Sequence, residues 1–303
     1  MIHLKKLYYL IFSIIITILI GYNLDFITDK IAILLKHQPT VIITNPNEYY
    51  KNNNYKFVQE SIDYIPYSKQ DIKNIFYSIL NNGYDKFTFY CPSQYVDCTK
   101  DVNTISTDST LLTHINNFIS PFNNFSSIKV INNESGEINV EVTKAYQQLE
   151  IDEINKKIDY IMHNYLTSDI ALEDKILTIH DYIINNTKYD QDRINGIINY
   201  KSNIAYGPLI ENFAICGGYA DAMALFLNRL NVPNFKVASE THVWNAIFIN
   251  NQWLHLDLTW DDPVSQYSDH NTLIHKFYLI DTITLKNYDI KDHDYDETIY
   301  QEL

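Results

Sequence analysis

The chain has 303 residues, 46% hydrophobic and 20% charged, which excludes a disordered or low-complexity polymer and leaves ample material for a buried core. Its formal net charge is −14. That balance repels phosphate backbones and is relieved by no basic stripe, so nucleic acid is not expected as a partner.

The N-terminus carries Lys5 and Lys6 and then runs without a charge from Leu7 to Leu24. Eighteen such residues approach the length needed to span a bilayer, and the basic flank keeps that end in the cytoplasm with the remainder outside. A cleaved signal segment would share the basic start and the apolar run. It would also need a small-x-small site, which Gly21-Tyr22-Asn23-Leu24-Asp25-Phe26 does not offer. Residues 1–24 are therefore expected to be a membrane anchor or signal segment. The expected location is a single-pass membrane protein with the rest of the chain outside, or a secreted protein after cleavage. The stretch 29–45 fits a juxtamembrane helix followed by a strand.

Residues 25–147 read as an α+β region with no chemical motif. Asp71–Leu80 has helical spacing and ends at Asn-Asn-Gly83, Lys86–Tyr90 alternates like a strand, and Ser109–Phe118 is a second helix before Pro121. Ile128–Ile131 and Ile138–Val142 fit a hairpin around Gly136. Cys91 and Cys98 stand on either side of a turn-forming Pro-Ser-Gln run; a disulfide and two separate small core residues both fit. If they pair, Cys216 is the odd thiol, and an unpaired cysteine outside the cytoplasm calls for a reason.

Residues 148–303 read as helices followed by an antiparallel sheet. Ile151, Ile154, Ile158 and Ile161 mark a helix over Leu149–Leu166, and a second covers Ala171–Ile184, including His180. A third starts at Cys216-Gly217-Gly218, continues through Ala220, Met223, Ala224 and Leu227, and is stopped by Pro233. Phe235–Ala238 is a short strand. His242–Ile249 and Trp253–Leu258 form a hairpin about the two-residue turn Asn250-Asn251, and Lys276–Ile280 is another strand.

The chemistry concentrates here. Cys216 at a helix start gains from the partial positive charge there, which favours a thiolate. Gly217 and Gly218 would admit a substrate backbone and leave backbone N–H groups for an oxyanion. A tight turn at residues 250–251 makes Asp257 a diagonal cross-strand neighbour of His242, on one face. The carboxylate could then fix the imidazole tautomer, and the imidazole could take the Cys216 proton. Trp244 shares the face of His242, and His255 that of Asp257; both are candidates to line the cleft or to pack beneath it. Taken singly, each of these residues has an ordinary structural use: a small packed thiol, a hydrogen-bonded strand histidine, a turn-forming aspartate.

Together, AYGPLIENFAICGGYADAMALFLNRLNVP, HVWNAIFINNQWLHLDLTWDDP and KFYLI resemble the core of the transglutaminase-like superfamily, in the bacterial membrane-anchored or secreted branch. IHDYIINNTKYD upstream fits that family's preceding helix. The resemblance covers about residues 150–282. It implies a papain-like fold, helices packed on an antiparallel sheet, and a catalytic triad at Cys216, His242 and Asp257. It further implies thioester chemistry on amide bonds of peptides or proteins, with cell-wall material a candidate substrate and hydrolysis slightly preferred to cross-linking. The competing class is a non-enzymatic surface module built on the same fold. No cofactor and no metal are expected. The run Asp292-His293-Asp294-Tyr295-Asp296 spaces acids as a calcium loop does but lacks its glycine and distal glutamate, and reads as a solvated acidic tail.

Overall fold

Ser68 starts the first helix. Its hydroxyl accepts a hydrogen bond from Asp71 N, so α1 (Lys69–Asn81) begins just ahead of the expected Asp71. β1 (Lys86–Tyr90) follows at the expected residues. The next helix, α2 (Cys98–Thr107), was not expected. Its Asn, Ser and Thr content reads as loop, but a disulfide joins Cys98, its first residue, to Cys91 just after β1. Asp108 caps α3 (Ser109–Asn116). β2 (Phe125–Asn132) and β3 (Glu137–Lys144) make the expected hairpin, and β1 pairs with the other edge of β3 to give an antiparallel sheet in the order β1-β3-β2.

The structure is a computed structural model that describes residues 12–13, 41–133, 136–167, 169–263 and 273–303. Two compact units divide the chain, Met1–Ile42 and Ile43–Leu303, and the elements named here belong to the second. The apolar run Leu7–Leu24 lies outside the described residues apart from Phe12 and Ser13, as does most of 29–45. Among the described residues no helix is long and apolar enough to cross a membrane.

α4 (Gln148–Tyr165) and α5 (Leu172–Asn185) match the two expected helices. Their buried isoleucines, among them Ile154, Ile161, Ile176 and Ile183, enter one core with Tyr219, Met223, Phe226 and Leu227; burying each large apolar side chain is worth about 1.5–3 kcal/mol. β4 (Lys188–Tyr189) runs parallel to β5 (Phe213–Ala214), and the short α6 (Gln191–Ile194) lies between them in sequence. β5 leads directly into α7 (Cys216–Arg229). Asn231 then takes a left-handed conformation at φ 57° before Pro233, which ends the helical path. α7 packs against β6 (Asn234–Ala238) and β7 (Val243–Ile249), and β8 (Gln252–Leu256) completes the antiparallel sheet β6-β7-β8.

Asn250 and Asn251 both have positive φ, 52° and 63°, the two-residue hairpin turn expected from the sequence. That turn sets the register, Asn245 opposite Leu256 and Ile249 opposite Gln252. The strand stops at Leu256 rather than at Leu258, because Asp257 caps a short helix, α8 (Leu258–Asp261). Asp261 and Asp262 thus belong to this helix and its end. The expected strand Lys276–Ile280 reduces to a single bridge between His255 and Ile280. Leu279 at φ 50° breaks the extended path there. α9 (Thr282–Asn287), capped by Asp281, also went unread in the sequence. The whole is a mixed α+β arrangement.

Candidate active site

Three short structural devices bring the chemistry together. The first is the Ser239–His242 turn between β6 and β7. Ser239 Oγ accepts from His242 N at 3.0 Å, and Ser239 N donates to His242 O at 2.9 Å. This delivers His242 at the mouth of β7. The second is the cap at Asp257, whose Oδ1 accepts from Thr259 N at 2.9 Å and Trp260 N at 3.2 Å. Its other oxygen, Oδ2, lies 2.7 Å from His242 Nε2. The third is the strand-to-helix junction at Cys216, where Ile215 N is held by Ser202 O at 2.9 Å.

Cys216 is half-buried and is the free cysteine. Its thiol lies near enough to the His242 imidazole to help raise the pKa of that ring. With Nε2 taken by Asp257, Nδ1 is the ring nitrogen left for the sulfur. Ile215 supplies no side-chain cap to α7. Gly218 N donates to Ile215 O at 2.9 Å, so the partial positive charge beside the thiol is that of the Cys216 and Gly217 N–H groups. Burial alone would lower the His242 pKa. The Asp257 charge, its hydrogen bond, and Cys216 override that and raise it to about 10. Burial works to raise the Asp257 pKa, yet His242 and His293 hold its carboxyl well below the usual range.

His293 was not expected here. The acids flanking it are at least partly exposed, but His293 itself is 5% exposed, and its Nε2 lies 2.8 Å from the same Asp257 Oδ2 that faces His242. The solvated-tail reading therefore fails at this residue. Its cause is the packing of the C-terminal segment along β6. Tyr295 bridges Ser239, and the Tyr300 hydroxyl accepts from Ala238 N and Asn117 Nδ2. Nothing local in Asp292-His293-Asp294 signals this, since the partner lies across the sheet. The rings of Trp244, Trp260 and Phe277 surround His293.

Trp244 and His255 do not line a cleft; each is 1% exposed. Trp244 stacks on the His242 ring with centroids 5.7 Å apart and 15° between planes. Its Nε1 donates to His255 Nδ1 at 3.0 Å, which leaves the proton of His255 on Nε2, 3.1 Å from Thr282 Oγ1. Burial, with the nearby His293, pushes the His255 pKa down to about 3. His255 thus orients Trp244 as a neutral group, and Trp244 backs the imidazole.

Gly217 and Gly218 also make room for the chain itself. A Cβ at Gly218 would stand 2.3 Å from Ser202 O, and one at Gly217 would stand 2.8 Å from Asn203 O. The close neighbour is the chain's own 202–208 loop. Tyr189 is a further site residue that sequence reading passed over. It precedes Asp190, whose N donates to Ala214 O on the strand leading to Cys216. Burial, then the charges of Cys216 and Asp257, raise its phenol pKa to about 12, so it stays a hydrogen-bond donor.

A cleft of about 490 Å³ opens beside the site. Gly217 and Val243, the neighbours of Cys216 and His242, line it with Asn116, Asn117, Asn203 and Lys236. Lys236 is paired with the buried Asp221 at 2.6 Å. A second cavity of the same volume, around Tyr49, Lys51 and Phe122, shares no residue with the site.

No family model matches the chain, and no curated protein matches it. Among solved structures it is similar to one described as a "TGase", at 17% identity over 52% of this chain and 50% of that one, with a TM-score of 0.34. It is also similar to a "Putative Cysteine Protease" from Cytophaga hutchinsonii, at 15% identity over 44% and 61%, TM-score 0.28. A "putative protease" from Parabacteroides distasonis matches at 12% identity over 44% and 36%, TM-score 0.27. The chain thus spans less than two thirds of each of them.

Proposed function

We propose that the chain is a cysteine-dependent acyl-transfer enzyme of transglutaminase-like type acting on amide bonds. The observation that carries this reading is the His242 imidazole, held at 2.7 Å by the buried Asp257 carboxylate and near enough to the half-exposed Cys216 thiol for that group to raise its pKa. In that arrangement the Cys216 proton passes to His242, and the thiolate attacks the amide carbonyl carbon. First-turn N–H groups of α7 receive the oxyanion. The C–N bond then breaks, the amine leaves with the proton from His242, and a thioester remains on Cys216. Water or a second amine, deprotonated by His242, attacks the thioester and regenerates the thiol. Hydrolysis is the favoured outcome, because the cleft beside Gly217 and Val243 is open to solvent and admits water.

His293 is a positioning residue in this reading. By donating to Asp257 Oδ2 it fixes the carboxylate against His242 without touching substrate. In this reading the domain lies on the outer side of a membrane or is secreted. The uncharged run Leu7–Leu24 behind Lys5 and Lys6 supports that location, and so does the Cys91–Cys98 disulfide, which suits an oxidising compartment. Peptide or protein is the substrate class, with cell-wall peptide among the candidates.

The test is to profile peptide amides with and without an added primary amine, against a Cys216→Ala control. Release of free acid that depends on Cys216 supports the hydrolase, and formation of a new amide supports the transferase. No Cys216-dependent turnover of any amide would overturn both.

A further inference from the structure

Away from the thiol, α5 carries His180 and Asp181, adjacent residues whose side chains converge although neighbours on a helix ordinarily diverge. His180 Nδ1 lies 2.8 Å from Asp181 Oδ1. His275, from the segment after α8, brings Nε2 to 2.8 Å from the same oxygen. The three atoms all lie within 4.8 Å of one another. On its other side, His180 Nε2 lies 3.3 Å from Asp261 Oδ2.

The His180 side chain is fully buried, and both of its ring nitrogens face carboxylate oxygens. A cation bound at Nδ1 would take the place of a proton between His180 and Asp181, leaving Nε2–H to donate to Asp261. A carboxylate on the outer nitrogen of a ligating imidazole is the usual support of a histidine–metal bond.

We infer that His180 Nδ1, Asp181 Oδ1 and His275 Nε2 form a binding site for a divalent transition-metal cation. Two imidazoles and one carboxylate select Zn²⁺, Co²⁺ or Ni²⁺ over Ca²⁺ and Mg²⁺, which want oxygen ligands. Metal–ligand bonds of about 2.0–2.1 Å place tetrahedral neighbours roughly 3.3 Å apart, so the 2.8 Å contacts must open by about 0.5 Å. His275, with 42% of its side chain exposed, can make that adjustment. Asp181 is 32% exposed, and that open side leaves a position for water.

The site has a structural consequence for the thiol centre. Asp261 accepts from Phe277 N at 2.9 Å and from Ile274 N at 3.0 Å, and donates its own N–H to Asp257 O at 3.2 Å. A metal tying His275 to α5 would clamp the segment that shoulders Asp257. The sequence could not display such a site, because His180-Asp181 and His275 come from separate segments and form no metal-binding spacing.

The test uses the full chain carrying Cys216→Ala, which removes the free thiol as a competing ligand. After chelation, Zn²⁺ and Co²⁺ are titrated by calorimetry, and Co²⁺ also by its visible absorption, with Ca²⁺ and Mg²⁺ alongside. One equivalent of Zn²⁺ or Co²⁺ is expected, weakened at least about tenfold by His275→Ala or by Asp181→Asn, both at partly exposed positions. A further His293→Gln substitution, at the other histidine–carboxylate cluster, is expected to leave binding unchanged. Absence of Zn²⁺ and Co²⁺ binding would overturn the site. So would binding that survives His275→Ala, or binding that is lost with His293→Gln.

Discussion

The Asp257 carboxylate serves two imidazoles through one oxygen, and this sharing decides what each histidine does. His293 Nδ1 is buried without a hydrogen-bond partner, so His293 fits best as a donor through Nε2 alone, while His242 takes up the mobile proton. His293→Gln keeps an N–H donor near Asp257, whereas His293→Phe removes it and fills the same space. The Phe variant is expected to lose about tenfold in kcat with KM little changed, and Gln to recover most of that. Equal losses in both, tracking a common fall in melting temperature, would mean that His293 acts only in packing. The raised His242 pKa makes a separate prediction. A group with an ordinary value of 6.5 and a folded value of about 10 stabilises the fold fully below pH 6.5 and loses that contribution as pH rises through about 10. The melting-temperature difference between wild type and His242→Gln should therefore be largest at mildly acidic pH and shrink between these two values. A difference that grows with pH would contradict the assignment.

The helix start is built on the absence of side chains at Gly217 and Gly218. A methyl group at Gly218 meets Ser202 O, a backbone atom that cannot swing aside. Gly218→Ala is expected to cost about 1–3 kcal/mol by overpacking and to slow thiol chemistry by displacing the 202–208 loop. Unchanged denaturant stability would show that the loop yields freely. The legibility of the elements follows the range of their causes. The β7–β8 register could be read because Asn250 and Asn251 fix it locally, and with it the approach of Asp257 to His242. α2 could not, because its start is secured by a disulfide rather than by apolar periodicity. The 276–280 segment could not either, because Leu279 breaks an otherwise strand-like pattern. The glycines were legible as needed, but the close packing of the chain's own 202–208 loop against them was not.

Across the whole molecule, the C-terminal segment is what the sequence concealed. Tyr295 and Tyr300 bind it along β6, and His293 reaches Asp257 only through that long-range pairing. Truncation before Asp292 would remove a support of the site as well as a surface. The cysteines divide just as cleanly. With Cys91 and Cys98 paired, thiol titration of the native unreduced chain is expected to count one thiol, and three after reduction and unfolding. Opening so short a loop should cost roughly 2–3 kcal/mol of stability. Three thiols without reduction would refute the pairing.

The central claim is that His242 activates Cys216. It is tested most directly by the second-order rate of iodoacetamide alkylation of Cys216 at pH 6, where an ordinary thiol is under about 1% ionised. The account predicts alkylation well above that of a free cysteine, falling at least about tenfold in His242→Ala while the fold is retained. Equal rates in the two proteins, at the level of an ordinary thiol, would contradict it.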